Sequence, residues 1–208
     1  MSNLKLLYQG AEASVFLNSE KKTVIKKRLP KSYRLKVLDD KLRRLRTRAE
    51  SNMLRRLSSV EGISVPSLLS FSEKEGELVM SFVEGMKLSE GLKDLSLAEA
   101  RVVCGSIGRA VSAMHDSNVV HGDLTTSNMI LDNVGVVWFV DFGLGFYSEK
   151  FEDKAVDIHL FHEALEAKHF ANSKSLWKAF LQSYKISVNY DSTMLQLKKV
   201  EGRGRYRH

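Results

Sequence analysis

The sequence predicts an α+β protein of two lobes: an N-terminal antiparallel sheet carrying one long helix, then a helical lobe. Three observations predict it. Short apolar runs separated by turn signals fill most of residues 1–84. A leucine-rich stripe with steps of three and four interrupts them. A polar cluster, His121 to Asn128, then precedes an apolar hairpin that ends on Asp141-Phe142-Gly143. The boundaries follow: 1–84 for the sheet lobe, 85–200 for the helical lobe, and 201–208 for a basic, flexible tail.

The run from Leu4 to Leu17 predicts strand, turn, strand around Gly10, and Thr23-Val24-Ile25-Lys26 predicts the next strand. With a period of two, Val24 and Lys26 share one face and Lys27 takes the other. Leu35, Leu38, Leu42, Leu45, Ala49 and Met53 predict a helix over about 33–57 with that stripe buried. Glu50, the only acid in its second half, borders the stripe, with Arg46 as the alternative surface partner. Residues 66–82 hold two apolar runs around Glu73-Lys74-Glu75-Gly76-Glu77, a hairpin. Ser96-Leu97-Ala98-Glu99 is a capping box opening a helix that runs to about His115. Its core positions are Val102, Val103, Ile107, Ala110, Val111 and Met114, with His115 as its C-terminal cap. Residues 129–140 predict strand, turn at Asp132-Asn133, strand. An aspartate-led apolar helix at Asp157-Ile158-His159-Leu160-Phe161 and helical stretches near 175–184 and 192–200 complete the chain.

The polar cluster carries the chemistry. His121-Gly122-Asp123-Leu124-Thr125-Thr126-Ser127-Asn128 has the form HxDLxxxN, and Asp141-Phe142-Gly143 follows at the spacing of the protein-kinase signature. Asp123 is suited to orient or deprotonate an attacking hydroxyl. Asn128 and Asp141 offer the hard oxygen donors that Mg²⁺ prefers when it bridges the phosphates of ATP. Set against that signature, Gly10-Ala11-Glu12-Ala13 and Val15 stand at the phosphate loop, with Tyr8 and Ala13 replacing its outer glycines. Val24, Met80 and Ile130 belong to the adenine pocket, and the backbone of Ser81 and Val83 to its hinge. Lys26 reaches the phosphates and pairs with Glu50.

Two parts of the signature are missing. Gly122 replaces the arginine that would clamp a phosphorylated activation segment, so that mode of switching is unavailable. Only thirteen residues separate Gly143 from Asp157, and no APE follows, so the segment that holds a peptide acceptor is almost absent.

Composition bounds the setting. A length of 208 residues supports a real core but is too short for a full complement of C-terminal kinase helices. The single cysteine, Cys104, excludes an internal disulfide, suits a reducing compartment, and sits in an apolar helical stretch as core. With no apolar run near the ~20 residues of a membrane span, and no signal-peptide core in Met1-Ser2-Asn3-Leu4-Lys5, a cytoplasmic or nuclear setting without membrane contact is expected. The net charge of +7 is segregated: residues 21–48 carry thirteen Lys/Arg against Asp39 and Asp40, and 198–207 carry five against Glu201. That pattern suits a polyanion beyond ATP, with RNA the natural one, or else a solvated helix face and tail. Gly202 and Gly204 are expected to deny Arg203, Arg205 and Arg207 a regular helix, leaving a flexible arm for tRNA backbone or partner contact.

The chain resembles the small atypical serine/threonine kinase/ATPase family of the KEOPS/EKC tRNA-modification complex. The resemblance rests on Gly10-Ala11-Glu12-Ala13, Ile25-Lys26-Lys27-Arg28, Lys31-Ser32-Tyr33-Arg34, Arg46-Thr47-Arg48-Ala49-Glu50 and His121 to Asn128. It continues through Asp141-Phe142-Gly143-Leu144-Gly145, Glu152-Asp153-Lys154-Ala155-Val156-Asp157 and Gly202-Arg203-Gly204-Arg205-Tyr206-Arg207. Arg34-Leu35-Lys36-Val37 departs from it by lacking a proline. The resemblance implies a protein-kinase-like two-lobed fold with a minimal C-lobe and a shortened activation segment, using ATP and Mg²⁺. It also implies partners: a threonylcarbamoyl-transferase subunit, a small accessory regulator, and tRNA reached through the complex. Two other classes stay open, a small-molecule phosphotransferase and a nucleotide-binding scaffold. A scaffold would be expected to lose Lys26, Asp123 or Asp141, and all three are present.

Overall fold

The computed structural model describes residues 4–10 and 12–204. Strands β1 (Leu4–Gln9), β2 (Ser14–Asn18), β3 (Thr23–Lys27), β4 (Leu68–Ser72) and β5 (Glu77–Ser81) form one antiparallel sheet in the order β1-β2-β3-β5-β4. Helix α1 (Lys36–Leu57) connects β3 to β4 and packs against β4 and β5. Register does the positioning. Lys26 lies opposite Val15 on one side and Leu78 on the other, while Val24 lies opposite Met80. Cross-strand partners share a face, and so do residues two apart, so Val15, Val24, Lys26 and Met80 all project from the same side of the sheet.

The chain crosses over residues 82–85 into β6 (Met86–Lys87), α2 (Leu88–Gly91) and α3 (Leu97–Asp116). There follow β7 (Val119–Val120), β8 (Met129–Leu131), β9 (Val137–Phe139) and β10 (Phe146–Tyr147), then α4 (Phe151–Lys168), α5 (Ser173–Tyr184) and α6 (Tyr190–Gly204). Strands β6, β8 and β9 form a small sheet, and β10 pairs with β7. The buried apolar side chains form one continuous cluster, from Met53, Leu54 and Leu78 of the sheet lobe to Phe180, Tyr184 and Leu197 of the last helices. No helix among the described residues is long and apolar enough to cross a membrane.

Local chemistry explains the element ends. Ser96 and Glu99 make the full reciprocal capping box of α3. Asp132 closes the β8–β9 hairpin by accepting from the backbone N–H of Val134 and Val136 and from Trp138 Nε1, at 2.8–3.0 Å. Cys104 is buried in the core, and burial pushes its thiol up to about 12, which makes it inert.

Four expectations are corrected. The leucine stripe of α1 faces outward in its first half: Leu35 is 80 % exposed, Leu38 50 % and Leu45 49 %. The inward positions of α1 are Asp39 in its first half and Thr47, Glu50 and Ser51 in its second, whose burial is compensated by Lys26 of β3, by Arg28 just beyond it and by hydrogen bonds within α1. Val102 of α3 is 67 % exposed, because the side of α3 that meets α5 carries Gly105 and Gly108. His115 is not a terminal cap; it is fully buried and links Asp157 of α4 to Tyr184 of α5. The tail begins later than residue 201, since α6 runs to Gly204. Leu197 and Val200 anchor α6 on the core, and Arg203 pairs with Glu152 at 2.5 Å, which outweighs the glycine penalty. Arg205 and Arg207 lie outside the described residues.

Two glycines give opposite predictions. A Cβ on Gly108 would strike the backbone carbonyl of Phe180 across the α3–α5 contact, and backbone in a packed helix pair cannot yield. Gly108→Ala should therefore destabilise by about 1–3 kcal/mol despite the better helix propensity of alanine. A Cβ on Gly202 meets open space inside α6. Gly202→Ala should stabilise by up to about 1 kcal/mol. Thermal unfolding of the two variants should move in opposite directions.

Candidate active site

Between the lobes lies a cleft of about 470 Å³, within the range of small-molecule sites. Val15, Val24, Met80 and Ser81 line it from the sheet, Val83 from the crossing, Ile130 from β8 and Val140 from just past β9. Its polar lining includes Lys26, Glu50, Asn128 and Asp141. The Ser81 N–H is already donated to the Ser67 carbonyl at 2.9 Å. At this hinge Ser81 can therefore offer a base its carbonyl but not its N–H.

The charged centre is compact. Lys26 Nζ stands 2.9 Å from Glu50 Oε1 and 2.5 Å from Asp141 Oδ1. Glu50 is 1 % exposed, and its other oxygen accepts from Arg28 Nη2 at 2.5 Å. Burial alone would raise the Asp141 carboxyl, but Lys26, Arg28 and the Gly143 N–H outweigh it and hold it down to about 2. Asp141 is thus ionised at any pH where a phosphate ester would bind. Lys27 points to the other face, 3.6 Å from Glu77.

The loop from His121 to Asn128 is held by helix α4. Asp157 accepts from the backbone N–H of His121 at 2.7 Å and of Gly122 at 2.9 Å. His121 then joins the loop to the hairpin: its Nδ1 accepts from the Asp123 N–H, so its Nε2–H donates to the Val140 carbonyl at 3.2 Å. Gly122 has φ of +78°, and a side chain there would run into the carbonyl of Leu144. The residue that abolishes the phospho-clamp is therefore also required by the backbone. Asn128 Nδ2 donates to the Asp123 backbone carbonyl at 2.9 Å and to its Oδ2 at 2.8 Å. Both partners are acceptors, which fixes the amide and leaves Oδ1 as its free ligand. The Val140 N–H donates to the Asn128 carbonyl at 3.0 Å, tying the strand that leads into Asp141 to Asn128. Asp123 sits beside the cleft, outside its lining, held through Asn128. The donors present, one ionised carboxylate and one oriented amide oxygen, fit a hard divalent cation bound jointly with phosphates.

The phosphate-loop residues behave differently from expectation. Gly10 makes the turn, its N–H donating to Ala13 at 2.9 Å, but neither residue lines the cleft. Glu12 turns away to pair with Arg34 at 2.8 Å and with Arg46 at 2.6 Å, and so ties the loop to α1. Arg46 is thus spent on Glu12 and not on Glu50. Ala11 lies outside the described residues. One site residue was missed: Arg28, 3 % exposed, beside Glu50. The signal was available, because the period that puts Lys26 on the cleft face of the strand carries on to Arg28.

Comparison with known proteins shows the family. The protein kinase domain family matches residues 1–166. The chain is 36% identical over 216 residues to KEOPS complex subunit Bud32 of Pyrococcus abyssi, covering 98% of this chain and 97% of that one. It is 34% identical over 200 residues to a probable serine/threonine-protein kinase BUD32 homolog of Archaeoglobus fulgidus, covering 96% and 95%. It is also 33% identical over 203 residues to a probable bifunctional tRNA threonylcarbamoyladenosine biosynthesis protein of Methanothermobacter thermautotrophicus, covering 97% of this chain but 36% of that longer one. By these matches the chain belongs to the protein kinase domain family and, within it, to the family of the Bud32 subunits, and Lys26, Glu50, Asn128 and Asp141 line the cleft between its lobes.

Proposed function

We propose that this chain transfers the γ-phosphoryl group of Mg-ATP, to water or to a serine or threonine hydroxyl, in support of threonylcarbamoyladenosine formation on tRNA within a KEOPS-type assembly. The observation that carries the chemistry is the shared position of Lys26 between Glu50 and Asp141 in the lining of the cleft between the lobes. Lys26 steadies the phosphates while Glu50 fixes its direction. Asn128 and Asp141 would hold Mg²⁺, which neutralises charge developing on the phosphoryl oxygens. Asp123, fixed through Asn128, orients the incoming hydroxyl and accepts its proton. Segment 144–150 is short and tied down, so it offers a peptide acceptor little platform, and water is the readier acceptor. The names of its relatives support the assembly; a threonylcarbamoyl-transferase subunit, a small accessory regulator and tRNA are the partners proposed, in the cytoplasm or nucleus.

Asp141→Ala should abolish phosphate release, and Asp123→Ala should retain ATP binding but lose rate by roughly 10²–10⁴. Phosphate release and nucleotide titration on the purified variants test both, and near-wild-type turnover in either would sink the mechanism. Lys26→Ala should impair nucleotide turnover while Lys27→Ala, on the opposite strand face, should not; the reverse pattern would mean a register error of one. Arg203, Arg205 and Arg207 are proposed to meet tRNA phosphates. Ending the chain at Gly202 should leave ATP binding intact and flatten the salt dependence of tRNA binding by the assembled complex. The log–log slope should fall by up to about 0.9 for each phosphate that the tail no longer neutralises. An unchanged slope would assign the tail to partner docking.

A further inference from the structure

Phosphoryl transfer at this cleft needs α1 held against the sheet so that Glu50 keeps Lys26 aimed, and something must supply that hold. The phospho-clamp is not available, since Gly122 leaves no cation and no room for one. Segment 144–150 is already fixed in place. Phe146 and Tyr147 pair with Val120 and Val119, the Ser148 N–H donates to Asn118 at 2.9 Å, and the Ser148 hydroxyl donates to Asp153 at 2.6 Å. Its hydroxyls are those of Tyr147 and Ser148; Ser148 is buried, and Tyr147 donates to Glu149 at 2.7 Å.

Arg28 occupies the joint instead. Its guanidinium reaches two residues of α1 one turn apart, Thr47 Oγ1 at 3.4 Å and Glu50 Oε2 at 2.5 Å. On its other side Nη2 fills the space beside Gly143, where an added Cβ would lie 2.6 Å away. Its own backbone is anchored to the β4–β5 turn, its N–H donating to Gly76 at 2.8 Å. One buried side chain, carried just past the strand that holds Lys26, thus joins the helix that carries Glu50 to the glycine two residues after Asp141.

We propose that Arg28 is a positioning residue, a built-in brace that keeps Glu50, and through it Lys26, in working register without any phosphorylated residue. Lys26 is shared by two carboxylates in the structure, and it must give up Asp141 to serve phosphates while Asp141 serves the metal. Glu50 is left with a fixed cation throughout that exchange, so α1 has no reason to move. The consequence is an enzyme whose competence does not depend on phosphorylation of its own activation segment.

This inference rests on the phosphoryl-transfer reading, and the experiment separates the two. Steady-state Mg-ATP turnover is measured for wild type, Arg28→Met, Arg28→Lys, Glu50→Gln, the Arg28→Met/Glu50→Gln double variant and Tyr147→Phe. Arg28→Met should lower kcat about 10–100-fold through misaligned reacting groups. KM for Mg-ATP should stay within roughly threefold, since ground-state binding is not what Arg28 serves. Arg28→Lys should recover part of the rate, Tyr147→Phe should match wild type, and Arg28→Met should add little once Glu50 is already Gln. If Arg28→Met does not fold, judged by its melting curve, the kcat and KM of Arg28→Lys carry the test. Wild-type kcat in Arg28→Met, full additivity in the double variant, an unchanged kcat in Arg28→Lys where that variant carries the test, or loss of turnover in Tyr147→Phe would overturn the brace. A wild-type protein with no turnover at all would overturn the phosphoryl-transfer reading and the brace with it.

Discussion

A carboxylate with almost no contact with water, Glu50, sets the terms for the sheet lobe. An ionised carboxyl buried alone costs several kcal/mol, and removing one partner from a buried ion pair typically costs about 3–5 kcal/mol. Against a total stability of roughly 5–15 kcal/mol for a domain, that is a large share. Two cations, Lys26 in β3 and Arg28 just past its end, answer Glu50 through its two oxygens. The strand therefore cannot slip against α1 by even one residue without stranding a charge, and the pairing of β3 with β2 and β5 inherits that register.

A second carboxylate, Asp157, plays the same part in the helical lobe. It takes hydrogen bonds from two consecutive backbone N–H groups of the catalytic loop and one from His115, whose other nitrogen accepts from Tyr184. Burial pushes the Tyr184 phenol up, so it keeps its proton and donates. The loop that carries Asp123 is thus wired to α3, α4 and α5 at once, and its geometry is as stable as the core beneath it. The polar groups that hold the 121–128 loop are the same ones that tie α3, α4 and α5 together.

The exposed leucines of α1 show how a pattern can mislead while the element it predicts still forms. Steps of three and four specify a helix, but they do not specify which side faces in; the buried side is chosen by ion pairing, of Asp39 with Arg43 in the first turns and of Glu50 with Arg28 and Lys26 further along. Exposed aliphatic side chains cost little in themselves, whereas an unpaired buried charge costs a great deal. His115 follows the same rule: its position at a helix end suggests a cap, yet the nearby Asp157 and Tyr184 draw it inward. Glu12, expected near phosphates, is drawn off by two arginines that are 22 and 34 residues away in sequence.

The sequence by itself determined whatever depends on near neighbours: the alternation that puts Val24 and Lys26 on one face, the Ser96–Glu99 cap, the hairpin between Asn128 and Asp141, and the spacing of the catalytic loop. These follow from fixed backbone periods and from side chains that reach only a few residues along the chain. Only the tertiary structure decided where long-range charges found partners. Arg28 beside Glu50 and Gly143, His115 between Asp157 and Tyr184, and the outward turn of the α1 leucines all result from competition among groups distant in sequence but adjacent in space. The physical reason is that a buried charge must be matched wherever the fold brings it, and no local pattern records which of several nearby cations will be there to match it.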